Sequence, residues 1–79
     1  MLHFIQEHHY SSELEQFEPD PKKADEVSRS IEHLCSVLVT STGPGFLRHQ
    51  YAGRGLIVWY LVNGSTISLL SIKLDCASH

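Results

Sequence analysis

The sequence predicts a single α+β domain, with helices first and an antiparallel sheet after them, and three observations carry that expectation. Seventy-nine residues, 42% apolar and 19% charged, suit one hydrophobic core and leave no room for a second. Between residues 20 and 38 the apolar positions recur at helical spacing. From Phe46 onward they become β-branched, aromatic and closely spaced, and a turn dipeptide interrupts them.

Taken in order, Leu2-His3-Phe4-Ile5-Gln6 holds too few apolar residues to separate a first strand from an extension of the helix after it. Ser12-Glu13-Leu14-Glu15 resembles a capping box, so a short helix is expected from there to Pro19, with Leu14 and Phe17 inward. The main amphipathic helix spans about 20–38. Asp20 caps it, Pro21 suits its first turn because a missing N–H costs nothing there, and Ala24, Val27, Ile31, Leu34 and Leu38 form one stripe. Asp25 and Arg29 stand at the favourable i, i+4 spacing. Thr40 through Gly45 reads as a loop.

Three strands are then expected, at about 46–52, 56–62 and 65–74, joined as an antiparallel meander. Leu56 to Val62 is apolar at every position, which suits a central strand covered on both faces. Asn63-Gly64 is the preferred type I′ turn, and a two-residue loop there pairs Val62 with Ser65, Tyr60 with Ile67 and Val58 with Leu69. Apolar phase shifts between Leu69 and Leu70, as a bulge, or burial on both faces, would produce. Gly53-Arg54-Gly55 permits the other turn.

The net charge of −3 is unevenly spread. Residues 1–35 hold eight acids against Lys22, Lys23 and Arg29, for −5, while residues 43–79 hold Arg48, Arg54 and Lys73 against Asp75, for +2. Three dispersed cations make a poor phosphate footprint, so direct nucleic-acid binding is not expected. An acidic half suits either an ordinary solvated face or a basic protein partner. The longest apolar run is far short of the ~20 residues that span a bilayer, and no signal sequence is visible, so a cytoplasmic, membrane-free protein is expected. No cofactor is implied.

Six histidines and two cysteines raise a metal reading, His33-x-Cys35 with Cys76-x-x-His79. Helix geometry argues against it, because residues two apart project about 200° from each other and cannot share a tetrahedral ion. Cys35 reads as a core residue, no Cys35–Cys76 disulfide is expected, and His3, His8 and His9 read as solvated. No arrangement supports Cys-His or paired-carboxylate catalysis, so no catalytic residue is assigned.

Trp59 and Tyr60 lie on opposite faces of their strand, so one enters the core and the other either packs beneath a second element or anchors a partner. Arg48, His49, Tyr51 and Arg54 are grouped near the start of the sheet. With Trp59 and Tyr60 they form the candidate partner-binding set; solvated strand and loop residues are the simpler reading of the four. An exposed aromatic sheet face also predicts homo-oligomerisation.

The segment from Leu47 to Ile72, with Gly53-Arg54-Gly55-Leu56 opening an apolar strand and Asn63-Gly64 linking it to the next, resembles the C-terminal sheet of the RelE/ParE toxin superfamily. That resemblance implies a first strand, two helices and three further strands. It also implies basic residues after the last strand, where this chain reads Lys73-Leu74-Asp75-Cys76, and an arginine in the middle strand that only Arg54 approaches. The fold therefore carries over more readily than ribonuclease chemistry, which needs charge stabilisation and a placed acid and base. The leading expectation is a non-catalytic regulatory protein that binds and inhibits another protein, such as a phage or prophage antirepressor acting on a DNA-binding repressor. A RelE/ParE-like toxin acting on translation or gyrase is the alternative, and an immunity or antitoxin-like partner a third.

Overall fold

A computed structural model describes residues 2–38 and 42–75. The class is α+β, in the order β1 (His3–Gln6), α1 (His8–Phe17), α2 (Pro21–Leu38), β2 (Gly43–Tyr51), β3 (Arg54–Asn63) and β4 (Thr66–Leu74). The expected three-stranded antiparallel meander is corrected to a four-stranded mixed sheet of order β1-β4-β3-β2. β2, β3 and β4 run antiparallel, and β1 joins the far side of β4 in parallel, pairing His3–Gln6 with Thr66–Leu69. The ambiguous N-terminal segment is thus a strand. Its sequence could not say so, because its partner lies more than 60 residues downstream.

α2 forms as expected. Asp20 accepts the Lys22 N–H at 3.0 Å, and Arg29 pairs with Asp25 at 3.0 Å. Its buried face is Val27, Ser28, Ile31 and Cys35, whereas Leu38, expected in the stripe, is 58% exposed. α1 begins at His8, four residues before Ser12, so the Ser12 to Glu15 segment is helix interior and caps nothing. The N-cap position is Glu7, whose side chain makes no capping bond.

Both turns differ from expectation in detail. The β3–β4 loop is Gly64-Ser65, with Gly64 alone at positive φ, the type II′ pattern, and Asn63 pairs Thr66. Val62 then faces Ile67 and Tyr60 faces Leu69, a slide of two residues that keeps every side chain on its face and sets apolar residues opposite each other. The expected bulge is present: Tyr60 pairs Leu69 while Trp59 pairs Ser71, leaving Leu70 extra. The β2–β3 loop is Ala52-Gly53, both residues at positive φ. β2 also starts earlier than expected and takes in Gly43-Pro44-Gly45, which it tolerates because it is an edge strand.

The core lies between the helices and one face of the sheet. Tyr10 and Leu14 of α1 and Val27, Ile31 and Cys35 of α2 pack on Leu47, Leu56, Val58, Val62, Ile67, Leu69 and Ile72. Ser28, a buried polar residue, is satisfied by Gln6 at 2.6 Å and by the Tyr10 hydroxyl at 3.3 Å, so one side chain joins β1, α1 and α2. Burial pushes the Tyr10 phenol up to about 12 and the Cys35 thiol up to about 11, which keeps both neutral.

The expectation that β3 is covered on both faces is overturned. β3 alternates: Leu56, Val58 and Val62 are buried, Tyr60 is half-buried beside them, and Trp59 and Leu61 are exposed. Both helices lie on one face, so the other has no second layer among the described residues.

Candidate functional site

Register fixes what each face presents, because directly paired residues share a side of the sheet. On the uncovered face β1 places Ile5, β2 places Phe46 and Arg48, and β3 places Ile57, Trp59 and Leu61. Phe46 is 57% exposed and Trp59 39%, and their rings stand 6.4 Å apart across the β2–β3 ladder. Solitary exposed apolar residues are ordinary on protein surfaces. Here Phe46, Ile57, Trp59 and Leu61 adjoin across β2 and β3, whereas β4 places Thr66, Ser68, Ser71 and Lys73 on the same face, between them and Ile5.

The six residues expected to bind a partner are divided by the fold. Trp59 and Arg48 lie on the open face. Tyr60 lies on the helix side and packs against the core, with its hydroxyl so close to Gly45 that a Cβ there would stand 2.7 Å from it. Tyr51 is also on the helix side, edge to face with Phe17 at 6.0 Å, and the Arg54 guanidinium covers the Phe17 ring at 5.5 Å. His49, again on the helix side, buries an unpartnered Nε2, and loss of water holds its pKa below the ordinary histidine range. Arg48 is hydrogen-bonded to Asp75 at 3.3 Å. The grouping of Arg48, His49, Tyr51 and Arg54 in sequence is therefore not one surface, since alternate strand residues point to opposite sides.

A second feature lies on the opposite side of the molecule. Between α1 and α2 a groove of about 390 Å³ is lined by Ser11, Leu14, Glu15, Glu18, Pro19, Ala24 and Asp25, with Gln6 and Ser28 also bordering it. Pro19 lies between the helices, Pro21, which opens α2, also lines the groove, and three carboxylates border the opening. The helical layer holds most of the acidic residues, and the open face holds none in its centre. The acidic layer and the aromatic face lie on opposite sides of the sheet. Composition showed both features, but only strand register shows that they face apart.

Among the described residues no cluster of three or more His, Cys, Asp or Glu residues is arranged to hold a metal ion. Cys76 and His79, half of the considered zinc set, lie outside the described residues. No described helix is long and apolar enough to cross a membrane. Searches against family models, curated proteins and solved structures returned no match for this chain.

Proposed function

We propose that this chain is a non-catalytic regulatory protein that binds a basic protein through its helical layer and inhibits it by occupying the surface that the target uses elsewhere. A DNA-binding repressor is the target class that fits best, which makes the chain an antirepressor. The observation that carries this reading is the acidic groove between α1 and α2. Glu15, Glu18 and Asp25 border a cleft of a size that admits a lysine or arginine side chain, and a repressor's phosphate-contacting surface supplies such groups. Competition is then electrostatic: carboxylates take the cations that would otherwise hold phosphate, and complementary charge speeds encounter.

The test is co-purification from the native host, followed by a DNA-release assay with the captured protein. Wild type is expected to release the repressor from its operator with an effect that weakens as salt rises. Glu15→Lys with Glu18→Lys is expected to lose at least tenfold in affinity at unchanged helical content. A protein that stays alone at physiological salt, or releases nothing from DNA, sinks the reading.

A toxin of RelE/ParE type is the second reading, supported by the order of one strand, two helices and three strands. Induced expression that arrests growth, with Arg48→Ala or Arg54→Ala relieving the arrest, selects it over the first.

A further inference from the structure

The uncovered sheet face needs an occupant, and we infer that the occupant is a second copy of this chain, seated back to back about a two-fold axis through Trp59 and Phe46. The inference goes beyond the function proposed above and rests on it only in leaving the helical layer to the partner.

Three arguments select a second copy. The first is charge. The two cations at this face's register positions, Arg48 and Lys73, are answered within the chain by Asp75 and Glu13. The face is thus close to neutral, so a charged partner gains little from it and an identical face loses nothing by meeting it. The second is the placement of the remaining charge. The −5 of residues 1–35 lies in the β1, α1 and α2 half, whose helices cover the other side of the sheet. Back-to-back packing sets two sheets about 10 Å apart and puts both acidic layers outside, separated by more than the ~8 Å screening length at physiological salt. Any approach through the helices would instead oppose like charges.

The third is area. Three strands of nine or ten residues with four-residue β1 beside them cover a flat footprint of about 500 Å² at ~3.3 Å per residue and ~4.8 Å per strand. Two such faces together remove about 1,000 Å² from solvent before side-chain relief adds to it, which meets the roughly 1,000 Å² that a biological interface needs and sits at the low end of interface sizes. The centre is aromatic and aliphatic, and aligned sheet packing lets Phe46, Trp59 and Leu61 of one copy interdigitate with their equivalents. An isologous arrangement closes on itself, so it ends at a dimer.

Trp59 is the chain's one tryptophan, so its emission reports directly on this face. The full-length protein is diluted from millimolar to nanomolar concentration while mass is followed by sedimentation and Trp59 emission by fluorescence. The expected result is a doubling of mass on concentration that coincides with a blue shift. Phe46→Gln, at a largely exposed edge-strand position, is expected to weaken association at least tenfold while the far-UV spectrum holds and the thermal midpoint, measured at a concentration where wild type is monomeric, is unchanged. Leu61→Gln provides an independent second variant. A strict monomer at millimolar concentration overturns the inference, including the case in which an unrelated protein occupies the face. So does a dimer whose Trp59 emission does not change and which both variants leave intact, because its interface then lies elsewhere. Neither result bears on the Glu15/Glu18 test, so the two proposals fail separately.

Discussion

Glu13 belongs to α1 but acts on β4. Beyond Leu69 that strand has no β1 partner, and its outer edge would present unpaired backbone groups. The Glu13 carboxylate takes the Ile72 N–H at 3.2 Å and the Ser71 hydroxyl at 2.8 Å, and it pairs with Lys73 and with His9. Burial alone would raise its pKa, but Lys73, Ser71, Ile72 and His9 together outweigh burial and hold it below the ordinary glutamate range. The sign follows from linkage: a depressed carboxylate stabilises the fold above its unfolded pKa, and that contribution is lost as pH falls through the folded one. Glu13→Gln is expected to cost about 1–2 kcal/mol near neutral pH. The gap between variant and wild type in denaturant titrations should close as pH drops below the usual glutamate range. A gap of constant size down to strong acid would mean that the charge contributes nothing. None of this was visible from composition, where Glu13 reads as one more solvated acid in an apparent capping box.

The turns decide most at the scale of elements. Ala52 is at φ +51° and Gly53 at φ +78°, a type I′ pair with alanine where asparagine is preferred. An L-residue with a plain Cβ pays for that conformation, and asparagine pays less. Ala52→Asn is therefore expected to raise stability by about 0.5–1 kcal/mol, read as a higher thermal midpoint; an unchanged or lower midpoint refutes the assignment. The same pair shows why local sequence misled. Asn63-Gly64 carries the strongest hairpin signal in the chain, yet the loop there is Gly64-Ser65, because that register sets Val62 against Ile67. Apolar pairing across the ladder outweighed turn preference. α2 was legible almost to the residue because everything that defines it lies within 18 consecutive positions. β1 was not, since its strand character comes from β4.

In the whole molecule, two helices cover one face of a four-stranded sheet, and the described chain measures 33 × 29 × 19 Å. The candidate surfaces were legible as ingredients: an acidic first half, an aromatic strand and a set of cations. Their arrangement was not. Trp59 and Tyr60 are adjacent and were expected to face apart, as they do, but nothing local indicated which would be covered. Arg48 and His49 illustrate the same limit, since one residue of offset places them on opposite sides of β2.

The parallel pairing of β1 with β4 also sets a schedule. His3 meets Thr66, so the first strand is made about 3–12 s before its partner at ordinary synthesis rates of 5–20 residues per second. Until then Val27, Ile31 and the other inward residues of α1 and α2 have no sheet to cover them. Nascent chains halted within β3 are accordingly expected to be cut rapidly by protease and bound by holding chaperones, and the released 79-residue chain to resist both. Equal resistance at the two points would show that the helices find shelter without β4. A pairing that looks like a detail of strand order thus assigns the chain a vulnerable age, which begins when α2 emerges and ends when the sheet is complete.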